Sequence, residues 1–99
     1  MDNEKINTNN ANQLFRDGDG LFLKGLVVAS EVFQRTHEGL SYKKLKVSVS
    51  DGKSAYQFIT TDKKRKLPEI QLFRRCQIAV SSVKREKDSI NVFGRFDHV

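Results

Sequence analysis

The 99-residue chain carries a formal net charge of +6, from 18 Lys and Arg residues against 12 Asp and Glu. A chain of this length supports one domain with one hydrophobic core. It contains no apolar run long enough to cross a membrane, and its polar first 20 residues lack the apolar stretch of a signal peptide. We therefore expect a single cytoplasmic domain with no membrane partner.

The charge is distributed unevenly along the chain. Residues 1–20 hold four acidic and two basic residues, a net charge of −2, whereas residues 21–99 hold 16 basic and 8 acidic residues, a net charge of +8. A basic body attracts phosphate-bearing partners and raises their association rate. Residues 1–19 are polar and lack periodicity, which predicts a flexible N-terminal arm before a folded domain at 20–99. The Asp-Gly repeat at 17–20 lacks the later ligands of a Ca²⁺ loop, so we predict no metal site.

Five runs rich in β-branched and aromatic residues predict five strands. They lie at 21–34, 42–50, 54–61, 77–83 and 90–96. The first is too long for a flat strand, and we expect a bulge or bend at Gly25 that lets this strand pair with two neighbours, as a small closed barrel requires.

The connections complete the predicted order. The polar segment 35–39 is expected to form the first turn, Asp51-Gly52 a tight hairpin, and 84–88 a charged turn. The run at 62–66 is too charged to pack and predicts a loop. Segment 67–75 predicts a short helix, because Pro68 and Glu69 suit its first turn and the arginines at 74 and 75 suit its C-terminal end. The predicted fold class is all-β: a small five-stranded barrel with one short helix between strands 3 and 4.

The register of the second hairpin decides which aromatic rings face outwards. If Asp51-Gly52 is a two-residue turn, Tyr56 and Phe58 face the core with Val47 and Leu45. If Ser50, Asp51 and Gly52 form a three-residue loop, the same rings stand among Lys44 and Lys46 as a stacking platform. The sequence favours the first register for its cleaner apolar side and leaves Tyr56 a candidate for stacking.

Other aromatic residues divide in the same way. Phe93 has the opposite strand parity to Val92 and Phe96, which indicates an outward ring, although a core position is the alternative. Tyr42 adjoins the first turn and either stacks on a ligand or closes the barrel rim. Cys76 is the only cysteine and lies in an apolar run, which predicts a buried core residue. We find no catalytic constellation and no cofactor motif, so we expect a protein that is not an enzyme.

The layout of five strands, a long bent first strand and a short helix after the third resembles the oligonucleotide-binding (OB) fold over about residues 20–97. The hairpins KKLKVSVSDGKSAYQFITT and IAVSSVKREKDSINVFGRF are similar to those of phage and plasmid single-stranded-DNA-binding proteins. The resemblance implies a ligand lying across strands 2 and 3, between the loop joining strands 1 and 2 and the loop joining strands 4 and 5. The candidate nucleic-acid-binding residues are Arg35, Tyr42, Lys44, Lys46, Lys53, Tyr56, Lys84, Arg85, Lys87 and Phe93. The basic run at 63–66 is a possible flank.

Two functions follow as hypotheses. The first is binding of single-stranded DNA or RNA with low sequence specificity, as in DNA replication, through a basic groove with aromatic stacking. The alternative is an OB-fold protein-interaction module, an assembly or replication accessory subunit whose basic loops contact an acidic protein partner. Exposed strand edges and apolar residues such as Phe22 and Phe33 favour a homodimer in either case.

Overall fold

A computed structural model describes residues 21–99. These residues form five strands: β1 (Phe22–His37), β2 (Leu40–Ser50), β3 (Ala55–Thr61), β4 (Arg75–Arg85) and β5 (Ile90–His98). The strands make one sheet that closes on itself in the order β1-β2-β3-β5-β4, with β1 also pairing with β4. The predicted all-β class and its five strands are therefore confirmed, whereas the arm at 1–19 lies outside the described residues.

Strand β1 is shared between two neighbours. Residues 22–26 pair with β4, and from Leu26 onward the strand pairs with β2. The bulge expected at Gly25 is wrong, because the register shifts between Val27 and Ala29. Gly25 instead marks a close approach of two strands, since a Cβ there would lie 2.6 Å from the Ser50 carbonyl oxygen.

The β1–β2 turn contains only two residues, Glu38 and Gly39, both with positive φ (51° and 80°). This geometry suits a tight hairpin whose twist matches that of its strands. His37 pairs with Leu40 across the turn. The five-residue turn expected at 35–39 is therefore wrong, and Arg35 projects from a strand instead of a loop.

The β2–β3 turn contains four residues, so neither of the two expected registers is formed. Ser50 pairs with Ala55, and the Asp51 carboxylate accepts hydrogen bonds of 2.8 Å from the main-chain N–H groups of Lys53 and Ser54. These two bonds stabilise the four-residue turn. They also hold the pKa of the exposed Asp51 carboxyl below its usual value. The resulting register places Val47 opposite Phe58 and Val49 opposite Tyr56, so that both rings point inwards.

The core fills the inside of the closed sheet with ten buried apolar side chains. Phe58 and Phe96 meet at its centre with ring centroids 5.4 Å apart. The full set is Val27, Leu45, Val47, Val49, Phe58, Cys76, Ile78, Val80, Val92 and Phe96. Cys76 is 1% exposed as expected, and burial raises the pKa of its thiol.

The short helix predicted at 67–75 is wrong; residues 66–71 are non-helical chain that leads into a turn at Leu72 and Phe73. Tertiary hydrogen bonds replace the helical ones: the Phe73 N–H bonds to the Val27 carbonyl, and the Gln71 N–H bonds to Nε2 of His98. Phe73 also has a φ of 61°, outside the right-handed helical region. Leu67 and Ile70 still pack against the core from this segment.

In the part of the chain that the structure describes, no helix is long and apolar enough to cross a membrane.

Candidate nucleic-acid interface

One outward side of the closed sheet carries half of the ten residues that the sequence nominates. Side chains alternate between the two sides of a strand, and Leu45, Val47 and Val49 of β2 point into the core. The intervening β2 side chains, and the residues paired with them, therefore point outwards. We call this surface the outer face; it comprises Glu31, Phe33, Arg35, His37, Leu40, Tyr42, Lys44, Lys46, Ser48, Gln57, Ile59, Thr61, Asn91 and Phe93.

Two lysines occupy the middle of the outer face. Lys44 lies between Phe33 of β1 and Thr61 of β3 in the strand pairing. Lys46 lies between Glu31 and Ile59 in the same way. Both lysines are half-buried by their neighbours, so their aliphatic stems cover the sheet while their ammonium groups are available to an anionic ligand.

Aromatic rings flank these lysines. The Arg35 guanidinium carbon stands 4.9 Å from the centroid of the Phe33 ring, and the Lys63 ammonium stands 4.2 Å from the centroid of the Tyr42 ring. Phe93 is half-buried and follows Asn91 by two positions on β5, which puts it on the outer face. Rings held beside cations offer flat surfaces for bases next to charges for phosphates.

Two turns meet at one end of the outer face. Ser54 and Ala55 of the β2–β3 hairpin share a groove with residues 85–90 of the β4–β5 hairpin. The predicted ligands Lys53, Arg85 and Lys87 project from these two hairpins and are exposed. Lys84 pairs across the hairpin with Asn91, and its ammonium lies 3.7 Å from the Glu86 carboxylate. The structure thus gathers the predicted cations of both hairpins at one end.

The other end of the outer face contains a groove of about 420 Å³ beside the β1–β2 turn. Its lining includes His37, Leu40 and Tyr42 from the hairpin and Asp62 and Lys63 from the segment after β3. The Asp62 carboxylate accepts a 2.8 Å hydrogen bond from the Lys43 main-chain N–H, which holds this segment against β2. The groove therefore extends the outer face towards the basic run at 63–66.

Tyr56 is the predicted aromatic ligand that the structure turns away from the outer face. Its half-buried ring packs against the core, and its hydroxyl lies 3.5 Å from the Asp51 carboxylate. Its position follows from the four-residue turn, which gives Tyr56 the same inward direction as Val49. Base stacking on this ring would require the end of the sheet to open.

Sequence reasoning missed Phe33 and Ile59. The sequence predicts an oligomer contact for Phe33, because a turn at 35–39 would not pair this residue with Lys44. The Glu38-Gly39 pair was the available signal, since a two-residue turn pairs Phe33 with Lys44 directly. Ile59 becomes an outer-face residue only once the length of the β2–β3 turn is known.

Other chemistry is sparse in the described part of the chain. No group of three His, Cys, Asp or Glu side chains within residues 21–99 is placed to hold a metal ion. His98 has a structural role, because its Nε2 accepts the hydrogen bond from Gln71 and its Nδ1 lies 3.1 Å from the Arg75 carbonyl oxygen.

Comparison with known proteins adds no further constraint on this site: no protein-family model, no curated protein and no solved structure matches the chain.

Proposed function

We propose that this protein is a non-enzymatic binder of single-stranded DNA or RNA with low sequence specificity, and that the strand lies on the outer face. The observation that carries the proposal is the arrangement of three outward rings, Phe33, Tyr42 and Phe93, around Lys44 and Lys46. Single-strand binding requires such a combination of a cationic track and stacking surfaces.

The strand order supports the same proposal. The five-stranded sheet closes as β1-β2-β3-β5-β4, with a long β1 shared by β2 and β4, and this order supports an assignment to an OB-like barrel. In that architecture oligonucleotides lie across the face of strands 2 and 3. Here the same face carries Lys44 and Lys46, and the hairpins at one end supply Lys53, Arg85 and Lys87.

Electrostatics supplies most of the affinity in this proposal. The outer face carries Arg35, Lys44 and Lys46 against one carboxylate, that of Glu31, so its central part has a positive excess. The grooves at its two ends also contain carboxylates, those of Glu38, Asp62, Glu86 and Asp88. Each phosphate neutralised releases counterions, and the logarithm of the binding constant should fall with the logarithm of salt concentration by about 0.7 per phosphate of a single strand. Each stacked base contributes on the order of 1–3 kcal/mol more.

Low sequence specificity follows from the polar side chains on the outer face. Reading of base edges needs free hydrogen-bonding groups in fixed positions. The Gln57 amide oxygen already accepts a 3.0 Å hydrogen bond from the Ser48 hydroxyl, and the Asn91 amide oxygen lies 3.4 Å from the Ser89 hydroxyl. These two amides, each with its oxygen already in contact with a serine hydroxyl, are a small set for base recognition, whereas stacking is possible with any base.

The test is a fluorescence-anisotropy titration of labelled single-stranded DNA, single-stranded RNA and duplex DNA at three salt concentrations between about 50 and 200 mM. We expect tighter binding to a single strand than to the duplex, with a steep dependence on salt. Equal, weak and salt-erased binding to all three ligands would contradict the proposal.

A protein-interaction module is the second candidate, and a separate observation favours it. Phe73 is 71% exposed and Leu72 is 51% exposed in the segment before β4, and Phe22 on β1 is 46% exposed. Exposed apolar residues of this size are typical of protein contact sites. This candidate predicts no binding of oligonucleotides beyond the salt-sensitive attraction of a basic surface.

A further inference from the structure

Strands β3 and β5 separate at one end of the closed sheet. Their parallel pairing includes only Gln57 with Asn91 and Phe58 with Val92. Beyond these pairs, a pocket of about 310 Å³ lies between the end of β3, the segment at 63–65 and Gly94 of β5. We call it the gap pocket; its lining is Thr60, Thr61, Lys63, Lys64, Arg65 and Gly94.

The lining of the gap pocket suits an anion. It contains three cationic side chains, two hydroxyl groups and no carboxylate. An adjoining pocket shares Arg65 and Gly94 and adds Lys66 and Arg95, of which Arg95 lies 3.6 Å from the Asp97 carboxylate. Within residues 21–99, none of the cations at 63–66 forms an ion pair with a carboxylate.

Gly94 keeps its main chain open to the gap pocket. A Cβ at this position would lie 2.0 Å from the Ala79 carbonyl oxygen, and the φ of 150° is one that other residues rarely adopt. The position therefore excludes any side chain, and the wall beside Arg65 is bare backbone. The glycine is required by the close approach of β4, whose register shifts between Val80 and Ser82, and the bare backbone beside the pocket is a consequence of that approach.

The gap pocket is continuous with the outer face. Thr61 belongs to both, since it pairs with Lys44 and also lines the pocket. Lys63 connects the two, because it lines the pocket while its ammonium lies 4.2 Å from the centroid of the Tyr42 ring. A strand whose bases stack on Tyr42 would therefore bring a phosphate within reach of the pocket.

We propose that the gap pocket binds a phosphate group, and that it holds the terminal phosphate of the strand bound on the outer face. The second part rests on the proposed function, whereas phosphate binding itself does not. A terminal phosphate monoester carries a charge of about −1.5 to −2 at pH 7 and three terminal oxygens, whereas a phosphodiester carries one charge. A pocket with several cations and hydroxyl donors favours the monoester. Binding of one terminal phosphate would also fix the 5′-to-3′ direction of the strand on the outer face.

The first experiment tests phosphate binding without any oligonucleotide. Inorganic phosphate is titrated into ¹⁵N-labelled protein at constant ionic strength, and amide shifts are recorded. We expect saturable shifts at Thr60, Thr61, Arg65 and Gly94, which disappear in the double variant Lys64→Ala/Arg65→Ala and persist in the control variant Lys24→Ala. Shifts that do not saturate, or that are spread over all lysines, would overturn the proposal.

The second experiment identifies the source of the phosphate. Anisotropy is measured with one oligothymidylate that carries a 5′-phosphate, a 3′-phosphate or neither. We expect one phosphorylated end to bind about tenfold more tightly, the value of one charge-assisted hydrogen bond, and the Lys64→Ala/Arg65→Ala variant to lose this preference.

Two outcomes of the second experiment would overturn the terminal-phosphate assignment. Equal affinity for all three oligonucleotides would show that the pocket does not recognise a strand end. Failure of all three to bind, together with saturable binding of inorganic phosphate, would overturn the proposed function as well and support the gap pocket as a phosphate site alone.

Discussion

The outer face and the opposite side of the closed sheet are built from the same strands but differ in how charge and apolar surface are combined. We call the second surface the rear face; it is the outward side of the β1–β4 pairing and comprises Phe22, Lys24, Leu26, Arg75, Gln77 and Ala79. Both faces carry cations. On the outer face the rings of Phe33, Tyr42 and Phe93 are half-buried, whereas Phe22 and Leu26 on the rear face are exposed.

This difference shows that basic charge alone does not identify a ligand surface. The rear face has Lys24 and Arg75, but Asp97 of β5 pairs with Gln77 at its border. The outer face places its cations in register with rings on neighbouring strands, which is the arrangement that a single strand requires. The rear face, with exposed apolar side chains, resembles a protein contact surface more closely.

The largest expected effect comes from reversing charge at the centre of the outer face. The Lys44→Glu/Lys46→Glu variant should lose about 100-fold or more in affinity for single-stranded oligonucleotide at low salt, because two attractive contacts with phosphate become repulsive. Anisotropy titration measures this effect. The fold should be retained, because both side chains point outwards, and circular dichroism checks this expectation.

The matched control reverses two charges on the rear face. The Lys24→Glu/Arg75→Glu variant has the same net charge as the outer-face variant, so it separates local contacts from general attraction. An equal loss of affinity in both double variants would remove the distinction between the two faces.

Removal of single rings should have a smaller effect. Phe33→Ala and Phe93→Ala should each weaken binding by about 1–3 kcal/mol, the contribution of one stacked base, with little change in the salt dependence. The control is Phe22→Ala on the rear face, for which we expect unchanged affinity. If Phe22→Ala weakens binding as much as the outer-face variants, stacking is not confined to the outer face.

Asp51 holds the β2–β3 turn through hydrogen bonds to main-chain N–H groups. We therefore expect substitutions of Asp51 to affect stability more than oligonucleotide binding. Asp51→Ala should lower the midpoint of thermal unfolding, because the main-chain N–H groups of Lys53 and Ser54 lose their acceptor. Asp51→Asn keeps an acceptor and should lie between this variant and the unmodified protein.

The same carboxylate predicts a dependence on pH. The folded-state pKa of Asp51 is depressed below the usual value of 3.8. Its charged form therefore contributes stability above about pH 4, and this contribution is lost as the pH falls through the lower folded-state pKa. Asp51→Asn should lack this part of the acid dependence. Parallel acid-unfolding curves for the two proteins would contradict the assigned role.

The smallest expected effect is on Cys76. Its burial raises the pKa of the thiol, so the native protein should react with a disulfide reagent at pH 8 far more slowly than the unfolded protein. The neutral thiol is favoured in the folded state, so its contribution to stability should decline only as the pH rises above the ordinary thiol pKa of about 9. Rapid labelling of the native protein would contradict the core position.

Much of the fold is predictable from strand periodicity. The alternation of β2 identifies Leu45, Val47 and Val49 as core residues and Lys44 and Lys46 as outward residues, because a strand has only two sides. The length of β1 likewise predicts a strand that pairs with two neighbours.

The turns and the segment before β4 were not predictable in the same way. The length of the β2–β3 turn depends on which main-chain N–H groups donate hydrogen bonds to the Asp51 carboxylate. A turn longer or shorter by one residue would exchange the two sides of β3. The absence of a helix at 67–75 depends on long-range hydrogen bonds to Val27 and His98, which local propensity does not report.

The most direct test of the account is an amide-shift titration of the ¹⁵N-labelled protein with a single-stranded oligothymidylate of about 10 nucleotides. We predict saturable shifts concentrated on the outer face, at Phe33, Lys44, Lys46, Ile59 and Phe93, with the rear-face amides of Lys24 and Gln77 unchanged. Shifts centred on the rear face, or no saturable shifts at all, would contradict the claim that the outer face binds a single strand.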